Sequence, residues 1–367
     1  MNNSGCERCE LLPRELPEHL NLYYSAPRDA TEQKLGDLCA KRGFTRISGA
    51  ADEVWAFSGS REQLRALCAS ADDALTPVEK ESTRVLVVAH GTQVGIRELV
   101  HMETFSSLTA RVEGGRIIAL LRDRRLTTWF QPIISLGDGV AEDGTYSVFA
   151  YECLARGFDP EGNIVSPGEM FSVARQADLL FYLDRAARLS AIEQAAAFNI
   201  PNTIFINFNP SAIYSPENCL ATTFEAIQEY GLSREGIVFE IVESDSVAEM
   251  GRLRRILDFY RREGFRVALD DMGAGFNSLV SLNDLRPDFV KVDTELTRDV
   301  DTDSFKARIA GNILDLSNQL DIPSVVEGIE TEGEYRWVRD HGATYAQGFF
   351  FARPASTPAI PAYDTGS

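Results

Sequence analysis

Residues 265–275 read FRVALDDMGAG, an apolar run followed by two adjacent aspartates and a glycine-bearing turn. The run is short and apolar, which is typical of a buried β-strand. The neighbouring carboxylates at its end, Asp270 and Asp271, repel each other when ionised and resist desolvation. A divalent cation is the usual compensation for such a pair. The stretch therefore predicts a strand that ends at a metal site.

Polar residues also follow other apolar, strand-like runs along the chain. They are Glu152, Asn207, Glu240, Lys291 and Glu327. From Trp129 onward such runs alternate with helical patterns, and repeated βα units predict a parallel (β/α) barrel with these groups at one rim. A doubly wound open sheet is the alternative, but no GxGxxG or P-loop motif opens a helix in this region.

The predicted elements follow one another closely along the chain. The strands predicted for the barrel are 128–134, 148–154, 203–207, 237–241, 266–269, 289–292, 324–326 and 344–346. The helices predicted among them are 167–177, 183–198, 221–230, 246–263, 277–283, 304–320 and 331–341. Upstream, residues up to about 90 follow the order βαββαβ, which predicts a smaller ferredoxin-like α+β domain.

A helical pattern between His90 and Arg125 follows the small domain without a Pro/Gly/Ser-rich linker, and it predicts a rigid helical connection. The predicted organisation is a regulatory or sensory α+β domain, a connecting helix, the barrel and a C-terminal tail. Their boundaries are 1–95, 96–115, 116–357 and 358–367.

Composition is that of a folded protein with a substantial core. The 367 residues are 44% hydrophobic and 25% charged, and the formal net charge is −19. That charge disfavours a nucleic-acid polymer or an anionic membrane surface as the main partner, although a small anionic ligand remains compatible if cations neutralise it. No segment approaches 18 consecutive apolar residues and no signal-peptide layout is present, so we expect a cytoplasmic protein.

Six cysteines are scattered through the chain, which favours reduced thiols. Cys6 and Cys9 form a single CxxC motif that could bind Zn²⁺, with His19 as a conceivable further ligand, or cycle between redox states. Two ordinary thiols in an N-terminal tail are the favoured interpretation, because short motifs often match by chance.

The strand-end groups fit hard-metal chemistry. Four oxygen ligands from four strands would suit Mg²⁺ or Mn²⁺. These four are Glu152, Asn207, Glu240 and Asp270. Asp271 and Glu327 would help to hold a second ion, and two such ions are a standard arrangement for in-line attack on phosphorus. Lys291 places a cation where it could orient or deprotonate the attacking water.

Seven motifs in order carry a specific resemblance. They are ECLAR at 152–156, INFNP at 206–210, FEIVE at 239–243, DDMGAG at 270–275, KVD at 291–293, EGIE at 327–330 and QGFFFARP at 347–354. With them, residues 120–354 resemble the EAL family of cyclic di-GMP phosphodiesterases. The resemblance implies a modified TIM (β/α)8 barrel that hydrolyses bis-(3′,5′)-cyclic di-GMP to linear pGpG, with two Mg²⁺ or Mn²⁺ ions per active site.

The resemblance also implies roles for individual residues. Metal ligands are expected at Glu152, Asn207, Glu240, Asp270, Asp271 and Glu327, with Asp270 as the bridge. Catalytic roles are expected for Lys291, which would contact the nucleophilic water, and for Glu327, Asp271 and Glu243. Glu243 would anchor the loop after Asp271. Substrate contacts are expected at Gln131, Leu154, Arg156 and Gln347, where Arg156 would hold a phosphate and Gln347 would lie near the guanine or its phosphate.

Four positions depart from the common pattern of that family. Cys153 stands for Ala, Met272 for Phe, and Asn209 and Asn277 for small hydroxyl residues or Ala. None of them is an expected metal ligand. The loop 272–279 is expected to link dimerisation, metal occupancy and activity, so a flexible Met at its start bears on the activity level.

Three functions are compatible with these residues. The leading hypothesis is an active phosphodiesterase that is regulated by its N-terminal domain and forms a homodimer through the barrel. The second is a non-catalytic cyclic di-GMP receptor, although such proteins usually lack a metal ligand and this chain lacks none. The third is a partner-binding scaffold that does not recognise the nucleotide.

Overall fold

The computed structural model describes residues 16–47, 54–137, 141, 144–213, 215–242, 250–273 and 278–362. These residues separate into two compact units. The first contains 16–125 and 168–183, and the second contains 126–167 and 184–362. Within the described residues, no helix is both long and apolar enough to cross a membrane.

The first unit is built on a five-stranded antiparallel sheet in the order β2-β3-β1-β4-β5. Its strands are β1 (His19–Ser25), β2 (Thr45–Arg46), β3 (Trp55–Ser60), β4 (Arg84–Ala89) and β5 (Glu103–Thr104). Its helices are α1 (Asp29–Lys41), α2 (Arg61–Ala74), α3 (Pro77–Ser82), α4 (Ile96–Leu99) and α5 (Phe105–Arg122). The predicted α+β class is confirmed, and the first four strands with α1 and α2 reproduce the predicted order βαββαβ.

Period-two alternation explains which face of this sheet is buried. Leu20, Leu22 and Tyr24 of β1 are almost fully buried and pack in one core with Leu35 of α1 and Leu64 of α2. Because successive side chains of a strand point to opposite faces, this one strand directs three large apolar groups to the helices.

The helix expected over 96–115 is instead divided between α4 and α5. Two residues of β5 pair with β4 between them, and Thr104 then caps α5 by accepting a hydrogen bond from the Ser107 N–H at 3.0 Å. A capping threonine starts a helix at the residue that follows it. Helix α5 therefore begins at Phe105 and continues beyond residue 115 to Arg122.

The second unit is a closed barrel. Its strands are β6 (Leu126–Ser135), β7 (Val148–Phe158), β8 (Ile164–Val165), β9 (Thr203–Asn207), β10 (Ile237–Val242), β11 (Arg266–Met272), β12 (Phe289–Val292), β13 (Ser324–Val326) and β14 (Tyr345–Ala346). The sheet order β6-β14-β13-β12-β11-β10-β9-β7-β8 closes through β6–β7 pairing. Because β8 lies outside the ring, eight of the nine strands form the barrel.

Nine helices follow β8 or alternate with the later strands in chain order within the described residues, and all of α6 except Pro167 belongs to the first unit. They are α6 (Pro167–Gln176), α7 (Leu180–Ala197), α8 (Pro216–Cys219), α9 (Ala221–Glu229), α10 (Met250–Arg262), α11 (Ser278–Leu285), α12 (Thr294–Thr297), α13 (Ser304–Gln319) and α14 (Glu332–Asp340), with short 3₁₀ turns at Pro210–Ala212 and Arg234–Gly236. Helix α10 shows the usual amphipathic pattern, since Leu253, Ile256, Leu257 and Tyr260 are its buried residues.

The barrel is mixed, and the prediction of an all-parallel barrel from the βα alternation is wrong in one place. Strand β6 runs antiparallel to both of its neighbours, β7 and β14. No helix is found between β6 and β7 in the described residues, so the chain turns back on itself without the crossover that parallel strands require. The other strands of the ring run parallel to one another.

Inside the barrel, one apolar layer forms a floor. Its buried members are Ile133, Ala150, Phe205, Val238, Ala268, Phe289 and Val325, and Tyr345 is partly buried against them. Each strand of the ring contributes one of these residues. A second layer, made of polar residues, lies two residues nearer the rim on the same face of each strand. Its members are Gln131, Glu152, Asn207, Glu240, Asp270, Lys291, Glu327 and Gln347.

Candidate functional site

A bulge in β11 creates the Asp270–Asp271 corner of the polar layer. The pairing of β11 with β12 shifts register between Leu269 and Met272, so one extra residue is accommodated at the end of the strand. Asp271 takes a left-handed backbone conformation with φ of 57°, and its N–H donates to Asp270 Oδ1 at 3.0 Å. A left-handed conformation costs an ordinary residue about 1–2 kcal/mol, and aspartate tolerates it better than most.

Lys291 lies at the centre of the polar layer. Its Nζ is 2.7 Å from Glu240 Oε1, 2.7 Å from Glu327 Oε1, 3.2 Å from Asp270 Oδ1 and 3.7 Å from Glu152 Oε2. Its side chain is only 1% exposed. One buried ammonium thus faces four carboxylates from four strands, so the site has an excess of negative charge.

Protonation equilibria reflect this excess. Burial and the neighbouring carboxylates raise the pKa of Glu240 well above its usual range, and they raise the pKa of Glu327 to about 8 although Lys291 opposes the shift. Burial and the charge of Asp270 also raise the pKa of Asp271 to about 6. These carboxylates need more positive charge than the lysine provides.

Lys291 and Glu152 are shifted in the directions that favour their charged forms. Burial alone would lower the pKa of Lys291, but the surrounding carboxylates raise it well above its usual range. Burial alone would raise the pKa of Glu152, but Lys291 and hydrogen bonds from Gln347 and Asn207 lower it.

The donor set fits a hard divalent cation. The Glu240 side chain is fully buried; its Oε1 lies 2.7 Å from Lys291 Nζ, whereas its Oε2 has no hydrogen-bond partner among the described residues. Buried acceptors without partners are rare in proteins. Asp270, Asp271 and Glu327 each offer an oxygen, and these oxygens lie within 4.8 Å of one another. Carboxylate and amide oxygens of this kind are the usual ligands of Mg²⁺ and Mn²⁺.

Amide side chains line the side of the layer next to Glu152. Gln347 Nε2 donates to Glu152 Oε2 at 2.7 Å and to Gln131 Oε1 at 3.0 Å. Asn207 Nδ2 donates to Glu152 Oε1 at 3.1 Å, and Gln131 Nε2 donates to the Ala352 carbonyl at 3.2 Å. Both oxygens of Glu152 are thereby oriented, and the amides join the first and last strands of the ring.

The β6–β7 pair continues above this layer. Arg156 and Leu154 follow Glu152 along one face of β7, and Arg156 Nη1 donates to the Ala155 carbonyl at 2.8 Å. The Arg156 guanidinium lies 5.1 Å from the centre of the Trp129 ring. The predicted substrate contacts Gln131, Leu154, Arg156 and Gln347 therefore belong to one side of the barrel mouth.

The residues that depart from the common pattern have structural explanations where they are described. Met272 is 1% exposed and packs with Leu282 and Val290, so it is an anchored strand end. Cys153 is buried, and burial raises the pKa of its thiol well above the usual range, which makes it unreactive. Predictions for Glu243, Asn277, Cys6 and Cys9 lie outside the described residues, as does the loop segment 274–277.

A buried ion pair that supports the chain next to Asn207 was not predicted from the sequence. Asp184 and Arg188, one turn apart on α7, form an ion pair in which both side chains are almost fully buried. The other Asp184 oxygen, Oδ1, accepts the Asn209 N–H at 2.9 Å, which fixes the chain just after Asn207. Opposite charges at i and i+4 within an otherwise apolar helix face were the available signal.

Comparison with known proteins places these motifs in a family context. A family model described as "EAL domain" matches residues 116–354. An uncharacterised signalling protein of Caulobacter vibrioides is 30% identical over 249 residues, which are 67% of this chain and 29% of that protein. The probable cyclic di-GMP phosphodiesterase PdeG of Escherichia coli is 28% identical over 64% of this chain and 46% of its own length. This chain thus spans less than half the length of both relatives.

Solved structures show the same architecture. A standalone versatile EAL protein from Vibrio cholerae, in its c-di-GMP-bound form, is 33% identical, with a TM-score of 0.57 over 64% of this chain and 95% of that one. The calcium/cy-diGMP complex of Klebsiella pneumoniae BlrP1 is 22% identical, with a TM-score of 0.58 over 94% of this chain and 98% of that one. A manganese/cy-diGMP complex of BlrP1 matches equally well. The predicted fold class, a barrel of the TIM type with an N-terminal α+β domain, is confirmed.

Proposed function

The chain belongs to the EAL domain family, and from that membership we propose that it hydrolyses one phosphodiester bond of cyclic di-GMP to give linear pGpG in a reaction that needs Mg²⁺ or Mn²⁺. The observation that carries the proposal is the polar layer of the barrel. Five of the six expected metal ligands belong to it, the sixth, Asp271, directly follows Asp270, and Lys291 stands among four of the carboxylates. The name of the Escherichia coli relative and the nucleotide in the Vibrio cholerae structure support the choice of substrate.

Two cation sites share the layer in this proposal. Glu152, Asn207, Glu240 and Asp270 would hold one ion, and Asp271 and Glu327, together with Asp270, would hold the other. The buried Glu240 carboxylate, whose Oε2 has no partner among the described residues, supports the first site, and the grouping of Asp270, Asp271 and Glu327 supports the second. When bound, such cations supply the positive charge that stabilises a phosphoryl group under in-line attack.

Lys291 orients the attacking water by donating a hydrogen bond from Nζ. Its contacts with Glu240 and Glu327, both 2.7 Å long, fix the position of Nζ at the centre of the layer. A donor held in this way does not have to be reorganised as the reaction proceeds.

Groups above the layer receive the nucleotide. Arg156 pairs with a phosphate, for which a planar guanidinium is well suited. Gln347 and Gln131, which are joined by a 3.0 Å hydrogen bond, lie next to this phosphate contact. Leu154 supplies an apolar contact from β7. Glu243 anchors the loop after Asp271 in this proposal, and Glu243→Gln is expected to lower activity while leaving the fold intact.

The decisive experiment incubates the purified protein with cyclic di-GMP and Mg²⁺ or Mn²⁺ and separates the products by chromatography. We expect linear pGpG with the native chain, no product with EDTA, and no turnover with Glu152→Ala. Glu229→Ala, which removes an exposed carboxylate at the end of α9, is the matched control and should behave as the native chain. Full activity of Glu152→Ala would refute the mechanism, and tight binding without any product would instead identify a receptor.

We further propose that the N-terminal unit regulates turnover and that the protein forms a homodimer through its barrel. A variant without residues 1–104, which retains α5, tests regulation by the N-terminal unit. We expect its kcat or its metal requirement to differ from that of the full chain. Sedimentation velocity of the full chain tests the second, and a monomer at micromolar concentration would refute it.

A further inference from the structure

The β6–β7 pair extends above the polar layer and forms a wall on one side of the barrel mouth. These strands are 10 and 11 residues long, whereas β12, β13 and β14 have 4, 3 and 2 residues. The register pairs Gln131 with Glu152 in the polar layer and Trp129 with Leu154 one step higher. Because side chains alternate along a strand, Trp129 lies on the same face as Gln131, directly above it.

Trp129 meets Arg156 on this wall. The guanidinium of Arg156 lies over the indole ring at 5.1 Å from its centre, donates a hydrogen bond to the Ala155 carbonyl, and is attracted electrostatically by Glu152. Arg156 makes no ion pair with the described residues. Since a guanidinium has five N–H donors, most of them stay available to an anionic ligand.

We propose that Trp129 is a positioning residue that holds the guanidinium of Arg156 at the height of the wall where it receives a phosphate of cyclic di-GMP. The proposal rests on the function proposed above. A tryptophan face is the strongest aromatic partner for a cation, and a guanidinium that is already held loses less side-chain freedom when the ligand arrives. An indole that merely covers the rim would instead act through its apolar bulk.

Binding measured without turnover tests the proposal. Cyclic di-GMP is titrated into the full chain in EDTA by calorimetry, and KM and kcat are then measured with Mn²⁺. Trp129→Ala and Trp129→Leu should both weaken binding about 3- to 10-fold, the range expected for a partly exposed cation–π contact. Trp129→Phe should stay within about 2-fold because it retains an aromatic face. The loss should appear in KM, with kcat nearly unchanged.

A double-mutant cycle with Arg156→Ala shows whether Trp129 acts through the arginine. In the Arg156→Ala background, Trp129→Leu should have no further effect on affinity, since the partner is already gone. Trp337→Ala is the matched control, because its indole stacks on His341 and on no predicted site residue. Thermal melting checks that each variant is folded, and the Leu and Phe variants decide the matter if the Ala variant is not.

Three results would overturn the proposal. Equal affinities of the Leu and Phe variants would assign Trp129 to packing alone, and additive effects in the cycle would assign it to direct contact with the nucleotide. Native-like binding by all Trp129 variants would overturn the inference while leaving the phosphodiesterase intact. A native chain that neither binds nor hydrolyses cyclic di-GMP would overturn both the proposed function and the role of Trp129.

Discussion

The floor and the polar layer of the barrel are built from the same strands, two residues apart. Phe205 leads to Asn207, Val238 to Glu240, and Phe289 to Lys291. The floor has no charged member, whereas the layer above it has five charged residues among eight. One repeat of the β-pleat thus separates a region that stabilises the fold from a region that destabilises it for the sake of ligand binding. Substitutions in the two layers should have opposite signatures.

The largest expected effect belongs to Lys291→Met. The change leaves four carboxylates without their ammonium, and losing the group that orients the water should lower kcat at least about 100-fold. In EDTA the free energy of unfolding should also fall by about 3–5 kcal/mol, as for other broken buried ion pairs. Product assays and urea denaturation measure the two quantities. The exposed Lys41→Met is the control, and a Lys291→Met enzyme within 10-fold of the native rate would contradict the assignment.

A floor substitution should act on stability alone. Phe205→Ala removes a fully buried ring that contacts Phe289, with 5.3 Å between ring centres, and should lower the free energy of unfolding by about 3–5 kcal/mol. While the variant remains folded, its kcat should stay within about 10-fold of native, because no polar-layer side chain is removed. Phe305→Ala on an exposed ring is the control. A loss of activity without loss of stability would break the distinction between the layers.

A rise in pH should destabilise the metal-free protein, because two carboxylates of the site have raised pKa values. The pKa of Glu327 is raised to about 8 and that of Asp271 to about 6, so the folded state binds more protons than the unfolded state above the ordinary range of these acids. Stability in EDTA should therefore fall as pH rises from about 5 to 8. Differential scanning calorimetry across this window measures the fall in Tm.

Mn²⁺ should reverse this pH dependence, because the cations bind the deprotonated carboxylates. A melting temperature in EDTA that stays constant or rises between pH 5 and 8 would show that the carboxylates are not destabilising in the folded state.

The smallest effect is expected from Asp271→Asn. Asparagine accepts the left-handed conformation of this position but removes one of the clustered charges, so the metal-free protein should gain up to about 1 kcal/mol. Activity should nevertheless fall because a charged ligand of the second cation is replaced by a neutral amide. Asp321, whose φ of 55° is nearly the same, offers the control Asp321→Asn, which should change neither quantity. Stabilisation by both variants would trace the effect to the backbone conformation and not to the charge.

Much of the barrel could be predicted because its strands carry local signals. The strands 203–207, 289–292 and 324–326 were predicted with the bounds that the structure has, since each is a short apolar run with a polar residue at or after its end. The reversed direction of β6 and the left-handed Asp271 were not predicted. Both depend on pairing between strands, and no pattern within either segment encodes its partner's register.

The site was predicted as a set of ligands and not as an arrangement. Strand ends and family resemblance predict six metal ligands and Lys291, but the four contacts of Lys291 follow only from ring closure. The sequence predicts a phosphate contact for Arg156, but it marks Trp129 only as the start of the barrel region. The role proposed for Trp129 depends on the register with Leu154, which is a property of the folded hairpin.

The hydrogen bond between Gln131 and Gln347 joins residues 216 positions apart in the chain. During synthesis at 5–20 residues per second, the second glutamine is added roughly 10 to 40 s after the first. A nascent chain can therefore carry most of the acidic residues long before the wall that orients Glu152 is complete. Glu152 therefore leaves the ribosome well before the Gln347 amide that orients it has been made.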